Sequence, residues 1–257
     1  MQISNDTDRD WKKFGEQEPY FGVLSHSDFL KSNLSEESLS TFFASGRRHV
    51  DHVMATIRDS LVPTFAPTRV LDYGCGVGRL VIPFAASSHS VVGIDVSPEM
   101  LNEARANCGK FGVTSVRLLH VDEMESLEPA SFDLVHSFIV FQHIPVARGE
   151  RILRKLIALL ADDGVGAVHF TFHDRRPPLR RGISALRRRV GLVNGAVNLM
   201  RRRPFSAPTM QMNNYFMDRI FDILVDAHCS RVLVEFSAHG PHLGAMIYFQ
   251  RDGKPLL

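Results

Sequence analysis

The chain is poor in cysteine and has no long apolar run. Its 257 residues include three cysteines, an odd number without metal-ligand spacing, in a chain long enough to bury a core without disulfide bonds. No stretch of about 18 consecutive uncharged apolar residues occurs, and none follows the charged N-terminal residues. We therefore expect a reduced, cytoplasmic protein with neither a signal peptide nor a membrane-spanning helix.

Acidic residues are missing from one long segment. Between Arg175 and Met217 there are ten arginines and no acid, which leaves 20 basic against 28 acidic residues elsewhere. Apolar residues recur every three or four positions there, so 183–203 is predicted to form a basic amphipathic helix. A solvated cationic face, a pocket for an acidic or phosphorylated acceptor, and peripheral contact with an anionic membrane or a lipid-linked substrate would each explain it. Nucleic acid is a poor fit, because no aromatic residues alternate with the arginines.

The apolar pattern changes near residue 66. Residues 1–66 are predicted to form a helical cap, with apolar residues at helical spacing. From 67 to 257, short apolar runs alternate with helical patterns, which is typical of an α/β domain with a doubly wound, mostly parallel sheet. Seven strands are predicted, the last antiparallel: Arg69–Tyr73, Ser90–Val96, Val116–Val121, Phe132–Phe138, Val165–Phe172, Arg231–Phe236 and Gly244–Gln250. Helices are predicted near 79–87, 98–109, 147–161 and 211–228, with a helical, arginine-rich lid inserted at about 173–210.

A glycine-rich turn follows the first predicted strand. Gly74, Gly76 and Gly78 would let the backbone approach a ligand closely, and Asp95, which ends the next strand, is placed to accept hydrogen bonds from two ribose hydroxyls. Dinucleotide sites space their glycines differently, and Asp72 would repel a pyrophosphate but attract an ammonium group. The pattern therefore favours a cofactor with a nucleoside at one end and an amino acid at the other, as in S-adenosylmethionine, over a nicotinamide dinucleotide.

The segment Leu71–Gly78 resembles the first motif of class I S-adenosylmethionine-dependent methyltransferases of the bacterial small-molecule type. The resemblance continues through Gly93–Leu101, Asp122, Ser131–Val135 and Leu160–Gly164, and so covers about residues 67–172. It implies a Rossmann-like fold of seven strands, S-adenosylmethionine as cofactor, S-adenosylhomocysteine as product and a small-molecule acceptor.

The resemblance also assigns cofactor-binding residues. Glycines of the loop would line the methionine and ribose portions, Asp72 would neighbour the amino group, and Asp95 would bind the ribose. Further along the chain, Val96 and Met100 would flank the adenine, Asp122 would accept from its amino group with Glu123 and Met124 beside it, and Ser137, Phe138 and Gln142 would form the floor beneath the sulfonium. The predicted set is Asp72, Gly74, Cys75, Gly76, Gly78, Asp95, Val96, Met100, Asp122, Glu123, Met124, Ser137, Phe138 and Gln142. Within it, Cys75 is interpreted as a small packing residue rather than a nucleophile, while Asp133 is expected only to tie the start of the fourth strand to neighbouring backbone.

Histidine is the natural general base for a hydroxyl acceptor. His143 is the first candidate, because it follows Gln142 on the segment that leaves the fourth strand, although a structural role at a helix start explains it equally well. Further candidates are His173, His239 and His242. Four polar residues are predicted either to shape the pocket or to serve as packing and cap residues: Tyr20, Asn213, Asn214 and Tyr215. No metal is expected, since no clustered carboxylates follow the fourth and fifth strands.

The sequence thus predicts methyl transfer from S-adenosylmethionine to a small molecule, with oxygen of a sugar or natural product as the favoured acceptor. Nitrogen of a small amine is the alternative acceptor. A protein that binds S-adenosylmethionine without catalysis is the alternative from a different functional class.

Overall fold

The computed structural model of the chain describes residues 7–177 and 210–252. Seven strands and seven α-helices are labelled here in chain order. The helices are α1 (Thr7–Gln17), α2 (Pro19–Val23), α3 (Glu36–Ser60), α4 (Val81–Ala85), α5 (Pro98–Lys110), α6 (Val146–Leu159) and α7 (Met217–Asp226). The strands are β1 (Arg69–Tyr73), β2 (Ser90–Asp95), β3 (Val116–His120), β4 (Phe132–Ser137), β5 (Leu160–Asp174), β6 (Cys229–His239) and β7 (His242–Arg251). Short 3-10 turns lie at Ser27–Phe29, Lys31–Asn33, Val121–Ser126 and Phe141–His143.

The strands form one sheet in the order β3-β2-β1-β4-β5-β7-β6. Strands β1 to β5 run parallel, and β7 is antiparallel to both of its neighbours. Apolar residues from the sheet pack in two large clusters, one including helices α6 and α7 and the other including α3 and α4. Because a parallel sheet needs both faces covered, this arrangement explains why four of the five residues of β1 and four of the six residues of β2 are buried. The predicted doubly wound α/β fold is confirmed.

Side-chain hydrogen bonds cap the N-termini of helices α3 and α5. The Ser97 hydroxyl accepts from the Met100 amide at the start of α5, as the sequence indicates. In α3, Ser35 and Ser38 form a reciprocal capping box. Each such cap contributes on the order of 1 kcal/mol to its helix.

A predicted backbone tie at the start of β4 is also present. One oxygen of Asp133 accepts from the Thr68 and Arg69 amides at 2.7 and 2.8 Å. The carboxylate thereby holds the chain that enters β1 beside β4, and the expectation of a structural role for Asp133 is confirmed.

Two helix boundaries differ from the sequence prediction. Helix α6 ends at Leu159 and β5 begins at Leu160, so the helix predicted near 147–161 stops two residues early and the chain is already extended at Asp162, Asp163 and Gly164. Helix α7 begins only at Met217, because the residues before it make long-range backbone hydrogen bonds, among them Tyr215 to Thr171. Phe216, predicted on the apolar face of this helix, is 61% exposed. Most of the predicted lid, and with it the amphipathic segment 183–203, lies outside the described residues.

In 7–177 and 210–252, no helix is both long and apolar enough to cross a membrane.

Candidate active site

A cavity of about 490 Å³ lies where β1, β2 and β4 end. Eight of the predicted site residues line it: Gly74, Gly76, Asp95, Val96, Met100, Phe138, Gln142 and His143. The other lining residues come from the N-terminal helices, from the segments after β3 and β4, and from Met210, Met212, His239 and Gly240. Parallel sheets place ligands at the carboxyl ends of their strands, so this cavity is the candidate active site.

The glycine loop forms one wall of the cavity. Gly74 and Gly76 have positive φ angles of 79° and 52°, a backbone conformation that residues with a β-carbon rarely adopt. A β-carbon at Gly76 would lie 2.6 Å from Val23, and one at Gly74 would overlap Val140. Glycine is therefore required at both positions for backbone geometry and for close approach.

Asp95 joins this loop to the end of β2. Its Oδ2 accepts from the Gly76 amide and its Oδ1 accepts from the Ser97 amide, both at 2.9 Å. Burial raises the pKa of Asp95, while the backbone hydrogen bonds act in the opposite direction. A carboxylate offers about four acceptor positions, so each oxygen can still accept a ligand hydroxyl.

Asp72 lies behind the loop, outside the residues that line the cavity. Its Oδ1 is 2.8 Å from Nδ1 of His136, and both side chains are almost fully buried. The second ring nitrogen of His136 lies 3.0 Å from Nε2 of His49 on α3. Asp72 is therefore tied to a line of two histidines rather than exposed to solvent.

His143 faces the cavity from the 3-10 turn after β4. Its Nδ1 lies 2.7 Å from the Gln211 carbonyl oxygen, which can only accept, so Nδ1 carries the proton. Nε2 is then the basic nitrogen, and it lies 3.1 Å from the Gln142 side-chain nitrogen. Burial lowers the pKa of His143 to about 4, although the Gln211 carbonyl acts in the opposite direction. The ring is thus a neutral acceptor with a fixed tautomer at pH 7.

Helix α1 forms a second wall, which the sequence analysis did not identify. The Thr7 hydroxyl donates to the His143 carbonyl at 2.8 Å, and the Trp11 ring meets the His143 ring edge-on. Asp8 accepts two hydrogen bonds from Arg148 on α6, at 2.7 and 2.8 Å. The aromatic spacing of the N-terminal region signalled a packed cap, but the Asp8–Arg148 pair joins residues 140 positions apart and has no local signal.

Six of the residues that line the cavity form a mostly apolar group. They are Leu24, Phe138, Met210 and Met212, with Ser25 and His239 as polar members, while the ion-paired Asp8 and Arg148 also line the cavity. These six side chains therefore bring no acidic, lysine or arginine group to the cavity.

Seven predicted cofactor-binding residues do not line the main cavity. Asp72, Cys75, Gly78, Glu123 and Ser137 line neither of the two cavities found among the described residues, whereas Asp122 and Met124 line the second. This second cavity, of about 370 Å³, shares Tyr73, Val121 and Arg148 with the first.

Each of these seven residues has a structural explanation in contacts within the protein. The Asp122 side chain is 87% exposed and pairs with His120, while Glu123 accepts from the His120 amide. Ser137 donates to the Tyr73 carbonyl. Cys75, Gly78 and Met124 pack in the interior, where burial raises the pKa of the Cys75 thiol. The interpretation of Cys75 as a packing residue agrees with this position.

The other predicted polar residues also include some that line the main cavity and some that do not. His239 lines the main cavity, whereas His173 and His242 do not. Tyr20 donates to Glu103 and Tyr215 donates to the Ile144 carbonyl, so both act in packing. Asn213 donates through its side chain to the Gln142 carbonyl and supports the turn that carries His143; Asn214 is exposed. In the described ranges, no group of three or more histidine, cysteine, aspartate or glutamate side chains could hold a metal ion.

Comparison with known proteins agrees with this geometry. A family model described as "Methyltransferase domain" matches residues 70–164. The ubiquinone biosynthesis O-methyltransferase of Xanthomonas euvesicatoria pv. vesicatoria is 30% identical over 152 residues, which are 54% of this chain and 63% of that protein. The matched region thus covers less than two thirds of this curated relative.

Solved structures confirm the fold. Magnesium protoporphyrin IX methyltransferase from Synechocystis PCC 6803, solved with bound S-adenosylmethionine, superposes with a TM-score of 0.60 at 17% identity, over 98% of this chain and 100% of that chain. A putative O-methyltransferase from Nostoc punctiforme PCC 73102 gives a TM-score of 0.54 at 19% identity, over 93% of this chain and 59% of that one. Residues 70–164 match a methyltransferase domain, and the predicted resemblance to class I S-adenosylmethionine-dependent methyltransferases is confirmed.

Proposed function

We propose that this protein transfers a methyl group from S-adenosylmethionine to an oxygen atom of a small molecule. The observation that carries the proposal is the single cavity in which Asp95 and the glycine loop face His143. The methyltransferase domain match and the O-methyltransferase relative support the same activity.

The residues present fit the cofactor. Bound S-adenosylmethionine supplies an electrophilic methyl group on a sulfonium. Asp95 would accept from the ribose hydroxyls with the lone pairs that Gly76 and Ser97 leave free, and the apolar side chains of Val96 and Met100 would flank the adenine. Gly74 and Gly76 have no side chains, so the loop leaves room for the methionine part of the cofactor.

His143 would act as the general base. An acceptor hydroxyl loses its proton as its oxygen is methylated, and Nε2 of His143 would receive that proton. The Gln211 carbonyl keeps the proton of the ring on Nδ1, so Nε2 holds the basic lone pair. An acceptor hydroxyl would replace the Gln142 side-chain amide, which lies 3.1 Å from that nitrogen. General-base assistance of this kind is worth about 100- to 10,000-fold.

The acceptor end of the cavity favours a neutral, largely apolar natural product over a free sugar. Leu24, Phe138, Met210 and Met212 offer apolar contacts and few hydrogen-bond partners. An acidic, phosphorylated or lipid-linked acceptor would need the arginine-rich residues 180–203, which lie outside the described part of the chain. We do not expect a nucleic-acid substrate.

The test is S-adenosylhomocysteine production with a panel of phenols, sugars and small amines. Replacement of His143 by Ala should lower kcat at least tenfold and leave cofactor affinity within about threefold, because the base is lost while the nucleoside contacts remain. His173→Ala, which alters a histidine outside the cavity, is the matched control and should retain full turnover.

Other results would redirect the proposal. Equal turnover of the His143→Ala and wild-type proteins would remove His143 from the catalytic group. Turnover with amines alone would assign N-methylation. Tight cofactor binding without turnover of any acceptor class would favour the non-catalytic binder.

A further inference from the structure

Three titratable side chains form a buried line from the sheet to helix α3. Asp72 on β1 and His136 on β4 are direct neighbours in the parallel register and are 2.8 Å apart. His49 follows at 3.0 Å from His136. The Asp72 and His136 side chains are 2% and 0% exposed.

The donor and acceptor in the contact between Asp72 and His136 follow from their chemistry. The Asp72 carboxylate accepts, so Nδ1 of His136 must donate. One proton lies between the two Nε2 atoms of His136 and His49. Whichever nitrogen carries it, the donor that faces Asp72 is unchanged, so His49 and His136 together hold one carboxylate oxygen in place.

The other carboxylate oxygen has no such partner. Asp72 Oδ2 is buried and makes no hydrogen bond to any residue that the structure describes. An unpaired buried carboxylate oxygen is costly. The backbone at Gly74, two residues further along, already lines the cavity. Arg79, also buried, contributes positive charge nearby, but its guanidinium donates to Ser45 and lies over the Phe138 ring.

We propose that His136 and His49 are positioning residues that orient Asp72 so that its Oδ2, behind the Gly74 backbone that lines the cavity, attracts the α-ammonium group of the bound cofactor directly or through a water molecule. The inference rests on the proposed function only through cofactor binding. In this arrangement the histidines never touch the cofactor; they set the angle at which the carboxylate presents its free oxygen.

The experiment compares two ligands by calorimetry. S-adenosylhomocysteine carries the ammonium group, whereas 5′-methylthioadenosine has the same nucleoside and sulfur without the amino acid. His136→Leu should weaken S-adenosylhomocysteine at least tenfold and 5′-methylthioadenosine less than threefold. His136→Asn should restore most of the affinity, because its side-chain amide can donate from the position of Nδ1. His49→Leu should give an intermediate loss for S-adenosylhomocysteine alone.

A matched control separates positioning from stability. His169 is equally buried and bonds to Ser237, so His169→Leu should leave the ratio of the two affinities unchanged. Equal losses for both ligands in the His136 variants, or no loss in any of them, would overturn the proposal. Should His136→Leu not fold, His49→Leu gives the same discrimination, because it is expected to weaken S-adenosylhomocysteine alone. A wild-type protein that bound neither ligand would instead refute the proposed function.

Discussion

The two ends of the cavity are built in different ways. The cofactor end consists of a loop and a carboxylate that lie within 23 residues of sequence, from Gly74 to Val96, held by backbone hydrogen bonds. The proposed acceptor end is assembled from segments far apart in the chain, such as Leu24, Phe138, Met212 and His239, which all line the same cavity. A local motif can specify the first, whereas only the complete fold specifies the second. Substitutions should therefore affect cofactor affinity sharply at the first end and acceptor preference at the second.

The largest effect is expected at the cofactor end. Asp95→Ala removes the proposed ribose contacts and the tie to the Gly76 amide, so affinity for S-adenosylhomocysteine should fall by about 100-fold, or about 2.7 kcal/mol. Calorimetry measures this directly, and unchanged affinity would contradict the ribose assignment.

Asp122→Ala is the matched comparison for Asp95→Ala. Asp122 is the other predicted acid, but it lines the second cavity. A loss smaller than tenfold is expected. An equal loss would mean that the cofactor site extends into that second cavity, and the boundary between the two ends would have to be redrawn.

Acid should destabilise the protein, because burial makes three histidines harder to protonate in the folded state than in the unfolded state. Burial lowers the pKa values of His49, His143 and His169 to about 2, 4 and 3. The unfolded chain therefore binds more protons as pH falls below about 6.5, and each histidine should cost about 1.4 kcal/mol between pH 7.5 and pH 5.5. Asp95, whose pKa is raised, acts in the opposite sense. Urea unfolding at the two pH values measures the difference.

His169→Gln should reduce this pH dependence, whereas His173→Gln, which alters an exposed histidine on the same strand, should not. Equal pH dependence in wild type and His169→Gln would show that His169 is not a neutral group in the folded protein. This pair of variants tests the acceptor end separately, since His169 packs against Phe138.

The smallest effect is expected at the wall that both ends share. Asp8→Asn breaks an ion pair that is partly exposed, so the loss should stay below about 1 kcal/mol and cofactor affinity should fall by about fivefold at most. Asp226→Asn, which breaks the exposed pair with Arg154 outside the cavity, is the control and should leave affinity unchanged. Equal affinities for Asp8→Asn and Asp226→Asn would show that α1 needs no ion pair to stay over the cavity.

Local patterns made most of the sheet and the cofactor end predictable. Strand β1 has the predicted bounds and four others differ by one or two residues at the ends, because apolar runs and turn residues define them within short windows. The positions of Asp95, Gly74, Gly76, Gln142 and His143 at the cavity were predictable because their sequence signals lie within a few residues of a strand end.

Contacts between residues far apart in the sequence could not be predicted from such local patterns. The Asp8–Arg148 pair, the contact of Trp11 with His143, and the bond from His49 to His136 each depend on helices folding back over the sheet. The end of α6 was misplaced because pairing of Leu160 with Phe132 on β4 overrides the turn signal that follows. The resemblance assigned Asp122 to the adenine because it follows the third strand. The neighbouring residues in the sequence do not indicate that its side chain is exposed to solvent.

The place of β7 in the sheet has a consequence for synthesis of the protein. Strand β7 follows the other six described strands in the chain, lies between β5 and β6, and pairs with both along nearly its whole length. While the ribosome still holds residues 242–251, the parallel half can assemble but leaves one long edge of β5 unpaired, and exposed strand edges promote aggregation. A stop codon shortly before position 242 should therefore yield insoluble material rather than a smaller folded enzyme.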